Sequence, residues 1–267
     1  MARRFHKMHG LGNDFVIFDA RDAPVPMDAA RARAIADRTT GIGCDQLILL
    51  EPSEVADLRM RIFNADGGEV GACGNAARCV ALLVGGERRI ETAGGVISGS
   101  AAGGEASVNM GEPRFGWDEI PLAYPLDTFS MPVGWEALQS PFAVNVGNPH
   151  IVFFVEDAGA VDLARLGPEI EHDPLFPERI NVNVASVEDG AIRLRVWERG
   201  AGLTRACGTG ACAAAVAAVS RKLATSPVEV RLPGGRLAIE WRAGGSIRMT
   251  GPASHVFTGE LDLEAFG

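Results

Sequence analysis

Two cysteines of this chain, Cys73 and Cys207, each stand directly before a glycine at the predicted beginning of a helix. The segment Cys207-Gly-Thr-Gly210 opens a run of small residues, 211–219, that predicts a helix. The free N–H groups and the dipole at a helix start favour negative charge, so they stabilise a thiolate or a bound carboxylate. A single such cysteine is more often a small buried apolar residue, so one copy would not decide the matter.

The arrangement occurs twice. Cys73-Gly74 falls on Cys207-Gly208 at a spacing of 134 residues (207 − 73), and other segments repeat at nearly the same spacing. An internal repeat of about half the chain predicts two similar halves, each with one thiol at a helix start.

Two such thiols suit the inversion of a carbon next to a carboxylate. One group removes a proton from one face and the other delivers a proton to the opposite face. The planar intermediate spreads its charge onto the carboxylate, which N–H groups at helix starts can hold. Glycines allow a close approach of those N–H groups. We expect the helix starts to bring the pKa of the thiols toward neutrality.

The elements that must position these residues alternate between strands and helices. The sequence predicts a turn over 9–14, helices over 27–39 and 163–171, and a strand over 179–184. Asn181 and Asn183 alternate along that strand, so both amides point to one face and are expected to line a site.

The predicted fold class is α+β, with two pseudo-symmetric halves. Each half is expected to be a mostly antiparallel sheet or barrel wrapped around a central helix, with the active site in the cleft between them. The predicted domains are 1–117, joined by the C-terminal strand 254–267, and 118–253. The Pro-rich segment 111–141 is the natural linker.

The composition of the chain limits the classes of molecule that it is expected to bind. The chain has 267 residues, 47% hydrophobic content, a net charge of −9 and no basic cluster, so nucleic acid and anionic membrane are poor partner candidates. No apolar run reaches the length of a membrane span, and the first ten residues lack the apolar core of a signal peptide. A soluble, cytoplasmic protein is expected, acting on a small molecule, with a homodimer left open.

No cofactor or metal is predicted. The five cysteines are an odd count without a C-x-x-C pair, which disfavours both a disulfide framework and zinc. The lysines, Lys7 and Lys222, stand in contexts that do not suit the buried Schiff base of a pyridoxal-phosphate enzyme.

Taken together, these motifs closely resemble the diaminopimelate epimerase family, cofactor-independent amino-acid racemases with two catalytic cysteines. The resemblance covers essentially the whole chain. It is carried by residues 9–15, 43–46, 63–67, 73–75, 147–150, 181–183, 198–200 and 206–210. It implies an isomerase that converts LL- to meso-diaminopimelate, in the pathway to lysine and peptidoglycan precursors.

The resemblance also implies roles for individual residues. Cys73 and Cys207 would be the acid/base pair, and His150 would support the site. Backbone N–H groups of four residues would hold the reacting carboxylate: Gly74, Asn75, Gly208 and Thr209. Seven side chains would surround the rest of the substrate: Asn13, Gln46, Asn64, Asn148, Asn181, Glu198 and Arg199. The adjacent Glu198 and Arg199 offer one charge each to the two groups of a second amino-acid end.

Other functions stay open at this point. Proline racemases and hydroxyproline epimerases share the two-thiol design but carry Cys-Gly-His where this chain has Cys73-Gly74-Asn75. Phenazine-pathway isomerases share the fold without the paired thiols. A binding protein with a redox-switching dithiol is the alternative from another class.

The chain departs from the family pattern at two places. Ala76 replaces a glycine usual in the family, and Gly71-Ala72 replaces a bulkier pair, which affects the loop before the helix.

Overall fold

The protein forms two compact units in the structure, a computed structural model that describes residues 2–266. The first unit comprises the chain up to Val108 and again from Gly251, and the second spans Asn109–Thr250. The domain boundaries expected from the sequence lie further along the chain at both junctions, and they stay a prediction.

The first unit consists of one mixed sheet and two helices. Its elements are β1 (Ala2–Gly10), β2 (Asn13–Asp19), α1 (Ala29–Ala36), β3 (Gln46–Glu51), β4 (Leu58–Asn64), β5 (Glu69–Val70), α2 (Gly74–Val84), β6 (Arg88–Thr92), β7 (Gly95–Ala102) and β8 (Glu105–Asn109). The second unit consists of β9 (Gly134–Trp135), β10 (Leu138–Gln139), β11 (Phe142–Asn145), β12 (Pro149–Phe154), α3 (Leu163–Glu171), β13 (Asn181–Glu188), β14 (Ala191–Glu198), β15 (Gly202–Thr204), α4 (Gly208–Ser220), β16 (Val228–Leu232), β17 (Gly235–Glu240) and β18 (Arg248–Pro252). The chain returns to the first unit at Gly251, within β18, and continues with β19 (Ser254–Asp262) and a 3-10 helix over Leu263–Phe266.

The two units repeat the same order of strand pairings. In the first, β2 runs parallel to β3, β3 antiparallel to β4, and β4 parallel to β6. In the second, β12, β13, β14 and β16 repeat this series. The register of the paired strands recurs as well. Leu47 pairs with Phe63 in the first unit, and the residues at the equivalent positions of the repeat, Val182 and Trp197, pair in the second. The structure thus has the predicted two-half α+β organisation.

A largely buried helix lies in each unit. Helix α2 packs against β1 and β7, and α4 packs against β11–β14. Both are rich in alanine, and nearly all their residues in the first two turns are buried. Small side chains let the strands approach these helices closely, which explains Ala76 and Ala77 in α2 and the alanine-rich run 211–218 in α4. None of the helices within residues 2–266 is long and apolar enough to cross a membrane.

Three local predictions differ from the structure. The strand predicted over 179–184 is β13, Asn181–Glu188, because Arg179 has a positive φ of 61° and pairing with β14 continues as far as Glu188. Helix α1 ends at Ala36, before the predicted Thr39, because the Asp37 carboxylate accepts hydrogen bonds from the Thr39 and Thr40 N–H groups and stabilises a turn there. The predicted turn over 9–14 is confined to Leu11 and Gly12, both with positive φ. Asn13 therefore begins β2, where it pairs with Gly10 of β1.

Candidate active site

Cys73 occupies the N-cap position of α2 with an extended backbone, φ −150° and ψ 110°. Gly74 and Asn75 follow as the first helical residues, and the first N–H groups of an α-helix have no partner within the helix. The Cys73 Sγ lies 3.9 Å from the Asn13 Oδ1. Asn75 donates from its Nδ2 to the same oxygen over 3.1 Å. The structure thus brings together three of the predicted site residues, Cys73, Asn13 and Asn75.

The other predicted residues of the first unit lie at the same sheet edge. Gln46 begins β3, which is parallel to β2, while Asn64 ends the antiparallel β4 directly opposite Gln46. The Gln46 Nε2 donates to the Asn64 Oδ1 over 2.9 Å. The Gln46 Oε1 is buried and has no hydrogen-bond partner among residues 2–266. A buried acceptor of this kind can receive an N–H donor from a ligand.

Cys207 holds the equivalent N-cap position of α4, with φ −124° and ψ 109°. Its side chain is buried. The Sγ accepts the Gly210 N–H over 3.4 Å and lies 3.5 Å from the Thr209 hydroxyl. The first turn of α4 is thus organised around the sulfur.

Burial raises the pKa of the Cys207 thiol well above its usual value, and the neighbouring Glu198 carboxylate raises it further. Hydrogen bonds from Thr209 and Gly210 act in the opposite direction and are outweighed. The expectation that a helix start brings the thiol pKa toward neutrality is therefore wrong for Cys207 in this structure. Burial and a nearby anion both penalise the thiolate more than the helix start stabilises it.

The sheet edge of the second unit repeats that of the first. His150 lies near the start of β12 and pairs with Asn181 at the start of the parallel β13, and Glu198 ends the antiparallel β14. The Thr204 hydroxyl donates to the Glu198 Oε1 over 2.5 Å. Each unit therefore carries its polar residues where two parallel strands begin and their antiparallel neighbour ends.

His150 is fully buried between two amides. The Asn183 Nδ2 lies 3.1 Å from its Nδ1, and the Asn148 Oδ1 lies 2.8 Å from its Nε2. An amide NH₂ can only donate and a carbonyl can only accept, so the imidazole accepts at Nδ1 and carries its proton on Nε2. Burial, together with the charge of Arg199, lowers the pKa of His150 to about 3. The ring is neutral near pH 7 and orients Asn148.

The amides of β13 are used largely within the protein. The Asn181 Nδ2 donates to the Pro149 carbonyl over 2.7 Å, and its Oδ1 accepts the Arg199 N–H over 2.9 Å. Asn183 donates to the Ile151 carbonyl, while its Oδ1 is buried without a hydrogen-bond partner in the described part of the chain. Asn181 therefore ties the start of β12 to the turn after β14, and its contact with substrate stays a prediction.

Sequence reasoning overlooked several residues that hold this constellation. Asp45 accepts from the Asn13 amide, Arg78 donates to the Asn75 side chain, and Thr204 donates to Glu198. Only Arg78 carries a local signal, since positions three apart on a helix are neighbours and Asn75 and Arg78 are so spaced. Ala76, which replaces the usual glycine, is fully buried in α2. Among residues 2–266, no three side chains of His, Cys, Asp or Glu are placed to hold a metal ion.

Comparisons with known proteins agree with this architecture. A diaminopimelate epimerase from Rhizorhabdus wittichii is 69% identical, covering 100% of this chain and 98% of that protein. One from Sphingopyxis alaskensis is 65% identical, and the alignment covers 100% of both chains.

Among solved structures, a hydroxyproline epimerase from Agrobacterium vitis superposes with a TM-score of 0.69 at 17% identity, covering 97% of this chain and 92% of that one. A Bacillus anthracis protein of the PhzF phenazine biosynthesis family superposes with a TM-score of 0.69 at 16% identity, covering 98% of this chain and 99% of that one. At these identities the likeness concerns the fold alone. The sequence model described as diaminopimelate epimerase matches residues 5–116 and 142–256. With a full-length match to close relatives and a cysteine at both helix starts, the chain belongs to the diaminopimelate epimerase family.

Proposed function

We propose that this protein is an isomerase that inverts one α-carbon of diaminopimelate, interconverting the LL and meso forms by proton transfer between two thiols. The observation that carries the proposal is the recurrence of one arrangement in both units. In each, a cysteine N-caps a buried helix whose sheet presents amide or charged side chains at the same edge.

The proposed reaction needs no group beyond the two sulfurs and the backbone. A thiolate takes the α-proton, so the C–H bond breaks and its electron pair spreads into the carboxylate. The second thiol gives its proton to the opposite face, a new C–H bond forms, and the two sulfurs have exchanged protonation states. N–H groups at the helix starts, of Gly74, Asn75, Gly208 and Thr209, would stabilise the charge that the carboxylate gains.

The remaining polar residues suit a substrate with two amino-acid ends. Glu198 offers an anion to the ammonium group of the non-reacting end, and it also lies close enough to Cys207 to raise the pKa of that thiol. Arg199 and the amides of Gln46 and Asn64 then serve the non-reacting end. A substrate ammonium beside Glu198 would also offset the effect of that carboxylate on Cys207, making the thiolate more accessible in the complex.

The decisive experiment measures α-proton exchange in deuterated water. The purified protein is incubated with LL-diaminopimelate, proline, hydroxyproline and a panel of other amino acids, and deuterium at the α-carbon is followed together with chirality. We expect exchange and epimerisation with diaminopimelate alone. Exchange only with proline or its hydroxylated form would support a proline-type racemase, and no exchange with any amino acid would support a dithiol binding protein.

The wider setting is proposed on the same basis. We expect a small-molecule amino acid as the partner and neither nucleic acid nor membrane, because the net charge of −9 disfavours anionic surfaces. A cytoplasmic location stays a prediction. A homodimer stays a prediction that light scattering of the purified protein can test.

A further inference from the structure

Behind Cys73 lies a chain of hydrogen bonds with a buried guanidinium at one end. Arg78, one turn into α2, is fully buried. Its Nη2 donates to the Asn75 Oδ1 over 2.9 Å, and its Nε lies 3.5 Å from the Pro252 carbonyl. Gly10 of β1 leaves room for this group, since a Cβ there would lie 3.1 Å from the Arg78 Nη2.

The chain continues through two amides to a carboxylate. The Asn75 Nδ2 donates to the Asn13 Oδ1 over 3.1 Å, and the Asn13 Nδ2 donates to the Asp45 Oδ2 over 2.9 Å. Asp45 is itself held by the Asp14 N–H at 3.1 Å and by Arg38 at 2.8 Å. Lys7 and Arg38 balance the charges of Asp14 and Asp45 around this end.

The groups at the two ends, a guanidinium and a carboxylate, determine which atom donates and which accepts in each hydrogen bond between them. A guanidinium can only donate hydrogen bonds and a carboxylate can only accept them, whereas an amide can turn over to do either. Arg78 therefore holds the Asn75 oxygen toward itself, which turns the Asn75 NH₂ toward Asn13. Asp45 holds the Asn13 NH₂, which turns the Asn13 oxygen toward Asn75 and toward the sulfur of Cys73, 3.9 Å away.

We propose that Arg78 and Asp45 are positioning residues that lock the Asn75 and Asn13 amides in one orientation, so that a carbonyl oxygen faces Cys73. A carbonyl beside sulfur favours the protonated thiol, while an amide N–H in its place would favour the thiolate. The pair thereby sets how readily Cys73 gives up its proton. The inference rests on the proposed catalytic role of Cys73, but its test requires no turnover.

The test measures the pH midpoint at which iodoacetamide alkylates Cys73, located by peptide mass mapping. In Arg78→Met the Asn75 amide loses the Arg78 donor and can turn its oxygen toward Asn13. That oxygen then competes with Asp45 for the Asn13 NH₂, so part of the Asn13 amides turn over and present an N–H to the sulfur. We expect the midpoint to fall by roughly one pH unit. Loss of a cation alone would move the midpoint upward, so the sign of the shift separates the two explanations. Arg78→Lys keeps both the charge and a donor and should restore much of the wild-type midpoint.

Asp45→Asn tests the other end, where the side chain is 45% exposed and the fold is at little risk. Its matched control is Asp14→Asn, which removes a charge from the same cluster while leaving the acceptor of Asn13 in place. We expect Asp45→Asn to lower the midpoint more than Asp14→Asn does. This comparison decides the matter alone if Arg78→Met does not fold.

A rise or no change in the midpoint of Arg78→Met, or equal shifts in the two aspartate variants, would overturn the proposal. If instead the midpoints shift as expected while the wild-type protein exchanges no diaminopimelate proton, the positioning role stands and the proposed function fails.

Discussion

Cys73 and Cys207 differ from the other three cysteines in their place at a helix N-cap. Cys44 and Cys79 are buried away from a helix start, and burial raises the pKa of each to about 12. We predict that Cys73→Ala and Cys207→Ala each lower the epimerisation rate by roughly a thousandfold or more, because each removes one of the two proton-transfer groups. Unfolding temperature should change little.

The matched controls for these variants lie in the same helices. Cys79→Ala in α2 and Cys212→Ala in α4 replace fully buried thiols and should retain most of the activity. Full turnover by either N-cap variant, or a comparable loss in both controls, would contradict the two-thiol assignment.

His150 gives the molecule a defined pH dependence. Its pKa is lowered to about 3 in the folded state, while an unfolded histidine titrates near 6.5. Between these pH values His150 is protonated in the unfolded chain but neutral in the folded protein. The folded state therefore loses stability as the pH falls from about 6.5 toward about 3. We predict that His150→Gln flattens the slope of unfolding free energy against pH in this window by up to roughly 1.4 kcal/mol per pH unit.

Urea denaturation at pH 7, 6, 5 and 4 would measure that slope. His172→Gln replaces an exposed histidine and should leave the slope closer to that of the wild type. An unchanged slope in His150→Gln would mean that the imidazole is protonated in the folded protein.

Among the elements, α3 supports the turn that carries Glu198 and Arg199. The Glu171 Oε2 accepts the Trp197 Nε1–H over 2.7 Å, and its Oε1 accepts the Gly200 N–H over 2.9 Å. Glu171→Gln presents an NH₂ to one of these donors, so we expect a loss of about 1–3 kcal/mol in stability. Activity should fall as well, since Gly200 directly follows Arg199.

Glu169→Gln is the control for this prediction, because Glu169 is exposed on the same helix. Chemical denaturation and steady-state kinetics of both variants give the comparison. Equal behaviour of the two would show that Glu171 does not hold the turn.

The first turn of α4 is fitted closely to the sheet below it. A Cβ at Gly210 would lie 2.7 Å from the Asn183 Oδ1 and 3.0 Å from the Val196 Cγ2. We predict that Gly210→Ala costs about 1–3 kcal/mol of stability and lowers activity, because α4 must shift and take Cys207 with it. Gly245→Ala, where a Cβ meets nothing closer than 3.4 Å, should be near neutral by thermal unfolding and by assay.

For the whole molecule, we predict activity without a cofactor, and the surroundings of the two lysines bear on pyridoxal phosphate. Lys7 is paired with Asp14 and also donates to the Gly43 carbonyl, and Lys222 is exposed. We expect full activity after exhaustive dialysis against a chelator, without added pyridoxal phosphate. Activity that is lost on dialysis and restored by a metal ion or by pyridoxal phosphate would contradict this expectation.

The sequence predicted the two-half organisation well because its signals are local. Alternating apolar residues specify strands, Cys-Gly before a run of small and apolar residues specifies a helix start, and the recurrence of both at one spacing specifies two similar units. Helix α3, predicted over 163–171, has those same bounds in the structure. The turn over 9–14 was predicted too long, since only pairing with β1 extends β2 back to Asn13.

By itself, then, the sequence determined the family, the fold class and the two thiols that open α2 and α4. The tertiary structure alone decided what surrounds them. Asp45 meets Asn13 from 32 residues away, and burial with Glu198 raises the pKa of Cys207 against the effect of the helix start. The periodicity of strands and helices depends on residues that are close in sequence. Burial and hydrogen-bond partners depend on strands that are distant in sequence and become neighbours only when the sheet forms.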